Sequence, residues 1–445
     1  MILPAATALL LLAAAQSNAV GGRDAGGVDV PAEEARPPEE PQKPTVTDDF
    51  TGPSGVPFMP SVGAVTARQG TFLDVALLSQ LRARTLAGSD GSTVWGTDVE
   101  VTPGVAIEVG SPTISLSLGY APRLTVPFNV GSFELAVLNR ATLRAEWRAS
   151  DLWTVTGLGI FVVGDFSQLV PASTPGGAGP APPVLNPVRS FQTYPYVGID
   201  TLLRVDGILS PRTRLRVAGG YFDVGGTGDV GQANQPRTWG PQAEGALSWL
   251  ASRTATLLTT ATVRDWMMVG DFDVLVGTVT EGWKQSWSPD LDSTVALGAG
   301  LANRDVESWT AAGHLMPVAS LQLDYHPVSQ EALRLALDAA LAPYVDVYLR
   351  IPYQRFTVGV RLDWSPSDAW RLQASLLAAL APHSVLAPES YGTGGLSASY
   401  APVKFLILSL GGFTQVQFQG ESTGGGAFRQ WTTYFSLALR DTFAL

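Results

Sequence analysis

The sequence predicts an all-β protein, a transmembrane antiparallel up-and-down β-barrel of about 18 strands, with about 16 as the alternative count. In residues 356–364, apolar residues alternate with polar ones, as in a strand with one oily and one polar face. This alternation recurs from Thr71 to the C-terminus. Two tryptophans, Trp364 and Trp370, bracket the predicted tight turn at residues 365–368 on the apolar face. Because tryptophan partitions to the lipid–water boundary, the repeated arrangement favours strand pairs that cross a bilayer.

Residues 1–19 are predicted to form a secretory signal peptide. An apolar run, residues 5–15, is followed by the small-residue sequence Ser-Asn-Ala at 17–19, and cleavage is expected after Ala19. The run is shorter than the stretch of about 20 apolar residues that a transmembrane helix needs. No later stretch has a continuous apolar span of helical length, so membrane insertion must use strands.

Residues 20–70 are predicted to form a disordered, acidic, Pro/Gly-rich periplasmic segment. Residues 20–49 hold eight acids and three bases, with almost nothing to bury, so no packed core is expected there. Residues 50–70 continue as irregular chain that could lie against or inside the following domain. Two roles remain open for the segment: an inert spacer, and a tether that docks a partner.

The composition argues against several classes of function. The net charge of −11 argues against a nucleic-acid partner. The absence of cysteine removes thiolate chemistry and cysteine-based metal sites. The three histidines, His314, His326 and His383, lack partners at the spacing that metal binding or general-base catalysis requires. We therefore expect no enzyme activity, no metal and no cofactor.

The predicted barrel occupies residues 71–445, and short turns alternate with longer loops between its strands. In chain order, the predicted short turns are residues 110–112, 150–151, 207–211, 251–253, 288–290, 326–329, 365–368 and 401–403. In bacterial outer-membrane barrels such turns face the periplasm, and an even strand number places both termini there. The aromatic residues crowd the short-turn side, as an interfacial girdle would. The predicted girdle is Trp147, Trp153, Trp249, Trp287, Trp364, Trp370 and Tyr400.

Two segments of the predicted barrel bear on its strand count and its assembly. In residues 272–287 neither parity is cleanly apolar, and this is why about 16 strands is the alternative count. At the C-terminus, Leu437, Leu439, Phe443 and Leu445 share the outward parity. That pattern resembles the assembly signal of bacterial outer-membrane proteins, although the usual last residue of the signal is Phe.

The inward parity collects most charged residues of the predicted barrel. The predicted pore-lining residues are Arg82, Arg84, Arg140, Arg144, Arg148, Arg212, Arg214, Arg216, Arg355, Arg361, Glu100, Glu146 and Asp363. Ion pairs between neighbouring strands along a wet wall explain most of them. The run Arg212, Arg214 and Arg216 contains no acid, so a same-sign stripe that attracts anions is the alternative for this run. We favour the paired wall, because Asp200 and Glu244 lie on the same predicted face of the flanking strands.

The longest predicted loop, residues 167–189, is nearly uncharged and rich in Gly and Pro. Barrels of about 16–18 strands leave an aqueous channel unless something plugs them. This loop is therefore either an inward constriction or a surface cap.

Two stretches carry a resemblance to a known group of proteins. Residues 116–124, LSLGYAPRL, and residues 138–150, LNRATLRAEWRAS, resemble β-barrels that accompany exopolysaccharide-secretion machinery in predatory and gliding soil bacteria. Those barrels are similar in length and strand number and pair with periplasmic polysaccharide-export proteins. The resemblance covers the barrel and implies an outer-membrane conduit for a secreted polysaccharide, with such an export protein as a partner.

Three hypotheses about function follow, and they share one fold. The first, which the sequence favours, is an outer-membrane channel with a hydrophilic charged lumen that serves as a conduit for polysaccharide secretion. The second, its alternative, is a passive diffusion porin for small hydrophilic solutes. The third is a structural or adhesive barrel with a sealed lumen. A polymer conduit needs a wide, continuous lumen, whereas a porin should show a constricting inward loop and a trimer contact. In each case we expect outer-membrane lipid, lipopolysaccharide and the barrel-assembly machinery as partners.

Overall fold

The computed structural model describes residues 70–87, 93–128, 135–167, 193–234, 236–270, 272–304, 314–327, 332–346, 351–380, 390–418 and 428–445. The predicted signal peptide and nearly all of the predicted acidic segment lie outside these residues, as does nearly all of the loop predicted at 167–189. Within the described ranges, no helix is both long and apolar enough to cross a membrane.

The described residues form nineteen strands and one short helix. In chain order these are β1 (Gly70–Ala87), β2 (Thr93–Gly110), β3 (Ile114–Tyr120), β4 (Arg123–Pro127), β5 (Ala136–Ser150), β6 (Trp153–Ser167), β7 (Thr193–Ser210), β8 (Thr213–Gly226), α1 (Gly228–Asn234), β9 (Thr238–Leu250), β10 (Ala255–Met268), β11 (Phe272–Ser288), β12 (Leu291–Arg304), β13 (His314–Tyr325), β14 (Leu333–Asp346), β15 (Ile351–Ser367), β16 (Trp370–Leu380), β17 (Ser390–Val403), β18 (Leu406–Phe418) and β19 (Phe428–Ala444).

These strands close into an antiparallel barrel of eighteen wall strands. Each strand pairs with its neighbours in sequence, and β19 returns to pair with β1 from Phe72–Ala444 to Ala87–Arg429. Segments β3 and β4 both pair with β2 on one side and β5 on the other, so together they make one wall strand, interrupted at Ala121. The prediction of about 18 strands is confirmed.

The connections divide the barrel into two ends. At one end, which we name the turn end, short connections join β2 to β3, β5 to β6, and each later odd-numbered strand from β7 to β17 to the strand that follows it. They fall within a few residues of the predicted turns. Residues 207–210, 365–367 and 401–403 belong to β7, β15 and β17, and the turns follow at residues 211–212, 368–369 and 404–405. The chain also enters β1 and leaves β19 at the turn end, where the Leu445 amide donates a 2.9 Å hydrogen bond to the Thr71 carbonyl. We name the opposite end the loop end.

The two faces of the sheet differ sharply in chemistry. Large apolar side chains project outward, with Leu376, Leu396 and Leu410 on neighbouring strands each about two-thirds exposed. Charged and hydroxyl-bearing side chains such as Asp98 and Thr156 lie on the other parity and are buried. Because side chains alternate between the faces of a strand, closing the sheet puts the second set inside.

Strand β11 is the one whose sequence does not alternate cleanly, and Glu281 is the reason. It lies on the outward parity between Val279 and Trp283, both of which are exposed. The hydroxyl of Thr259 on β10 donates a 2.8 Å hydrogen bond to its carboxylate. The backbone nevertheless keeps an unbroken register with β10, and it pairs with β12 as far as Ser286, because pairing depends on the ladder rather than on one side chain.

The hairpin formed by β14 and β15 extends beyond the wall of the barrel. Pairing between β13 and β14 ends at Ala319–Leu341, whereas pairing between β14 and β15 continues to Asp346–Ile351. The first part of β13 therefore pairs with β12 alone in the described sheet. We name residues 342–346 and 351–355, which extend β14 and β15 beyond the end of their pairing with β13, the inner hairpin.

Candidate channel lumen and its constriction

The inner hairpin lies against the inside of the barrel wall. Val345, which is 1% exposed, packs in one cluster with Met268 of β10 and Val274 of β11. Trp266 and Val276 pack against that cluster and, like Met268 and Val274, have even numbers on their strands. The odd-numbered residues of β10 and β11 are the outward ones, so the hairpin contacts the inner face.

Two further contacts hold the hairpin against β12 and β13. The side-chain amide of Gln354 donates a 2.6 Å hydrogen bond to the backbone carbonyl of Pro317. Pro343 lies over Gly300, and a Cβ atom added at Gly300 would be only 2.7 Å from Pro343 Cγ. Gly300 therefore permits the close approach of the hairpin to β12, which any larger side chain would obstruct.

The opposite face of the hairpin carries two tyrosines and an arginine. Tyr344 and Tyr353 face each other across the hairpin with ring centroids 5.1 Å apart in an edge-to-face arrangement. The guanidinium carbon of Arg355 lies 3.9 Å from the centroid of the Tyr344 ring. Because Pro343, Val345 and Gln354 occupy the wall-facing parity, the two tyrosines and the arginine lie on the face turned away from the wall. On that face Tyr353 is buried, at 8% exposed, whereas Tyr344 and Arg355 are partly exposed.

A second arginine held by aromatic rings lies on β10, one of the wall strands that the inner hairpin contacts. The guanidinium carbon of Arg264 on β10 is 3.8 Å from the centroid of the Phe222 ring and 4.3 Å from that of Trp266. Phe222 and Trp266 themselves meet edge to face at 5.1 Å. Asp200, on the inner face of β7, accepts a 2.9 Å hydrogen bond from Gln242.

The predicted pore-lining residues Arg82, Arg84 and Glu100 lie in a buried ion-pair network near the barrel closure. Arg82 Nε is 2.6 Å from Asp98 Oδ1, and Arg82 Nη2 is 2.8 Å from Glu100 Oε2. Arg84 also pairs with Asp98, which is completely buried. Arg123 Nε lies 3.7 Å from Glu100 Oε2 and extends the network to β4. Removing one partner from such a network leaves an uncompensated buried charge, which costs about 3–5 kcal/mol.

Other predicted pore-lining residues form shorter ion pairs toward the turn end. Arg144 Nη2 and Arg148 Nε lie 3.6 Å and 3.5 Å from the carboxylate of Glu146. Arg361 Nε lies 3.4 Å from Asp363, whose other oxygen is 3.3 Å from Arg371. These pairs are partly exposed, so each contributes at most about 1 kcal/mol. Arg140 lies on the same face of β5, nearer the loop end than Arg144.

The run of three arginines on β8 is only partly paired. Arg216 Nε lies 2.8 Å from Asp206 Oδ1 on β7, and Arg204 Nε lies 2.8 Å from Asp206 Oδ2. The acid that pairs with the run is therefore Asp206, and not Asp200 or Glu244 as expected from the sequence. Arg212 and Arg214 are exposed near the turn end and have no ion pair with a carboxylate in the described part of the chain.

The seven residues of the predicted girdle are all exposed, between 37% for Trp153 and Tyr400 and 68% for Trp287. All seven lie beside connections of the turn end. Trp370 packs on Tyr400 with ring centroids 4.8 Å apart, and Trp287 Nε1 donates a 2.7 Å hydrogen bond to Ser293. This position next to the turns and on the outer face is the one that a membrane interface requires.

Sequence reasoning alone missed the aromatic residues that orient two of the arginines. Arg355 was among the predicted pore-lining residues, but Tyr344 and Tyr353 were not. Trp266 lies two residues after Arg264 on the same face of β10, whereas Phe222 lies on β8, and nothing in the local sequence indicates that Phe222 meets the other two. Within the described residues, no group of three or more His, Asp or Glu side chains is arranged to hold a metal ion.

Comparison with known proteins gives a fold-level likeness only. No family model matches the chain, and no curated protein matches it. Among solved structures, the FrpB iron transporter from Neisseria meningitidis matches with a TM-score of 0.48 and 8% identity, over 85% of this chain and 82% of that one. OccAB4 from Acinetobacter baumannii matches with a TM-score of 0.45 and 9% identity, over 84% and 99%. The outer membrane protein opdK from Pseudomonas aeruginosa matches with a TM-score of 0.43 and 11% identity, over 84% of this chain and 99% of that one. With TM-scores below 0.5, these matches carry no argument about activity.

Proposed function

We propose that this protein is an outer-membrane channel through which small hydrophilic solutes diffuse, and that the inner hairpin narrows the path. The observation that carries the proposal is this hairpin, folded against the inner wall of a closed eighteen-stranded barrel. The proposal corresponds to the second hypothesis drawn from the sequence.

The outer face supports placement in a membrane. Exposed leucine, valine and phenylalanine side chains occupy the outward parity on nearly every described strand. A soluble protein rarely exposes contiguous apolar patches larger than a few hundred Å², because water would drive them together. An apolar band bordered by aromatic residues is instead the outer surface of a barrel in lipid.

The inner face supports a water-filled path. Barrels of about 16–18 strands are wide enough to leave an aqueous channel. The inner wall carries ion pairs such as Arg334–Asp324, with Nη2 and Oδ1 3.1 Å apart, and Arg204–Asp206. Their side chains are partly exposed, which is compatible with charged groups that remain in contact with water.

The inner hairpin favours small solutes over a polymer. A polysaccharide conduit needs a wide, continuous lumen, and a hairpin packed over β10, β11 and β12 takes up part of the cross-section. The polysaccharide hypothesis rests on the sequence resemblance, and we found no feature in the described residues that favours it over a porin. We therefore give the diffusion channel precedence.

Liposome swelling with uncharged sugars of graded size tests this proposal. We expect monosaccharides to enter liposomes that contain the folded protein, and the rate to fall steeply as the sugar lengthens, because the hairpin narrows the path. Liposomes prepared with the heat-unfolded chain are the control. If no sugar enters, the lumen is sealed and the channel proposal fails. If long dextrins enter as fast as glucose, the polymer conduit replaces it.

A further inference from the structure

The arginines of the inner face fall into two groups according to what holds them. Arg82, Arg84, Arg204 and Arg334, among others, are held by carboxylates, which compensate their charge. Arg264 and Arg355 are held by aromatic rings instead, and neither has a direct ion pair with a carboxylate in the described ranges, although Asp200 attracts the charge of Arg264. An aromatic ring carries no net charge, so these contacts compensate a guanidinium less than a paired carboxylate does, and this second group calls for another explanation.

Stacking on a ring leaves a guanidinium ready to bind an anion. The contact uses the flat face of the guanidinium, so the N–H groups at its edge remain available as donors. The ring also fixes the orientation of the group, which lowers the entropy lost when a ligand binds. For Arg264, Nε is buried and has no hydrogen-bond partner among the described residues.

Both arginines belong to the constriction. Arg355 lies on the inner hairpin itself, on the face that points away from the wall. Arg264 contacts Trp266, and Trp266 packs against the cluster of Met268, Val274 and Val345 that anchors the hairpin. A solute that passes the hairpin therefore meets two positive charges beside aromatic surfaces.

We propose that the constriction binds small organic carboxylates with a flat apolar body, an inference that rests on the proposed channel function and specifies its substrate class. Arg355 and Arg264 donate hydrogen bonds to the carboxylate, because the guanidinium fork matches the two oxygens of that group. The rings of Tyr344 and Trp266 offer apolar surface to the rest of the solute. An inorganic anion would use the charges but not the rings, and a neutral solute would use the rings but not the charges.

Isothermal titration of the folded protein in detergent with benzoate tests the inference. Benzamide, benzylamine and inorganic phosphate serve as neutral, cationic and inorganic comparison probes. We expect benzoate to bind more tightly than all three. Arg355→Gln and Arg264→Gln should each weaken benzoate binding about tenfold, as expected for the loss of a charge-assisted hydrogen bond. Arg371→Gln, which removes the same charge from the inner face far from the hairpin, should bind benzoate as the unmodified protein does.

Several results would overturn the inference. They are equal binding of benzoate and benzamide, tighter binding of phosphate than of benzoate, and unchanged benzoate affinity in folded Arg355→Gln and Arg264→Gln proteins. If a Gln variant does not fold, Arg355→Lys and Arg264→Lys take its place, because lysine keeps the charge but replaces the planar guanidinium fork by a point charge. Unchanged benzoate affinity in both Lys variants would also overturn the inference. The titration needs no transport. If benzoate binds but no sugar enters liposomes, the channel proposal fails and the carboxylate site stands. If sugar enters but benzoate does not bind, the carboxylate site fails and the channel proposal stands.

Discussion

Replacing residues 344–353 by Asn-Gly, so that a two-residue turn joins Pro343 to Gln354, is expected to raise the single-channel conductance of the protein severalfold. The change removes Tyr344, Val345 and Tyr353, which fill part of the lumen over β10 and β11. The strands that remain are already paired at Pro343–Gln354, and Asn-Gly is a favoured hairpin turn, so the barrel should still close. Planar-bilayer recordings of the unmodified and shortened proteins provide the measurement.

A control for this experiment is an Asn-Gly replacement of Lys404 and Phe405, the exposed turn between β17 and β18. It introduces the same dipeptide at the turn end, far along the sheet from the inner hairpin, and should leave conductance unchanged. Equal conductance of the shortened and unmodified barrels, both folded, would show that the hairpin does not limit the path.

Val360→Arg is expected to prevent or strongly weaken folding into a bilayer. Val360 lies on the outward parity of β15, paired with Leu337 on one side and with the exposed Leu376 on the other. A charge on the lipid face near the bilayer midplane costs about 2–4 kcal/mol, which lowers the ratio of folded to unfolded protein by about 30-fold to 1000-fold. Urea titration of the protein in liposomes, followed by the mobility of unheated samples in gels, measures this loss.

Arg361→Val, one residue away on the inner parity, is the matched control. It should fold, because Asp363 keeps its contacts with Arg371, at 3.3 Å, and with Gln373, which donates a 2.6 Å hydrogen bond. Similar midpoints for Val360→Arg and Arg361→Val would mean that the two faces of β15 have been assigned wrongly.

The fold could be predicted because its signals are local and repeated. A strand such as β15 shows its two faces within nine residues, and a turn such as 365–368 is marked by Pro and by flanking tryptophans. The strand count followed from counting such units, and the even number from the alternation of short and long connections. Glu281 obscured the alternation of β11, and there the backbone ladder to β10 and β12 overrides one unfavourable side chain.

The inner hairpin could not be predicted because its local sequence is that of an ordinary strand pair. Residues 342–355 continue the pattern of β14 and β15, and what changes is that β13 stops pairing with β14 after Ala319. Whether a neighbouring strand continues is a property of the assembled sheet. The sequence instead offered residues 167–189 as either a constriction or a surface cap, and nearly all of that loop lies outside the described residues.

The candidate site was predictable in its residue types and not in its pairing. The inward parity identified the charged residues of the wall, including Arg355. Which of them meet acids depends on strand register and side-chain direction, and so Arg216 reaches Asp206 rather than Asp200. The aromatic partners of Arg264 come from β8 and β10, and their meeting is a result of packing across strands.

The central claim, that residues 342–346 and 351–355 fold onto the inner wall, has a direct test in a chain that contains no cysteine. Val274→Cys and Val345→Cys, combined, place two thiols in one buried cluster. After treatment of the folded protein with a short thiol crosslinker, we expect an intramolecular crosslink between the two thiols, detected by intact mass and by loss of maleimide labelling. Leu275→Cys with Val345→Cys, where the first thiol lies on the outer face of the same strand, should remain unlinked. Two thiols at 274 and 345 that stay free and react fully with maleimide would contradict the inner hairpin and, with it, the constriction.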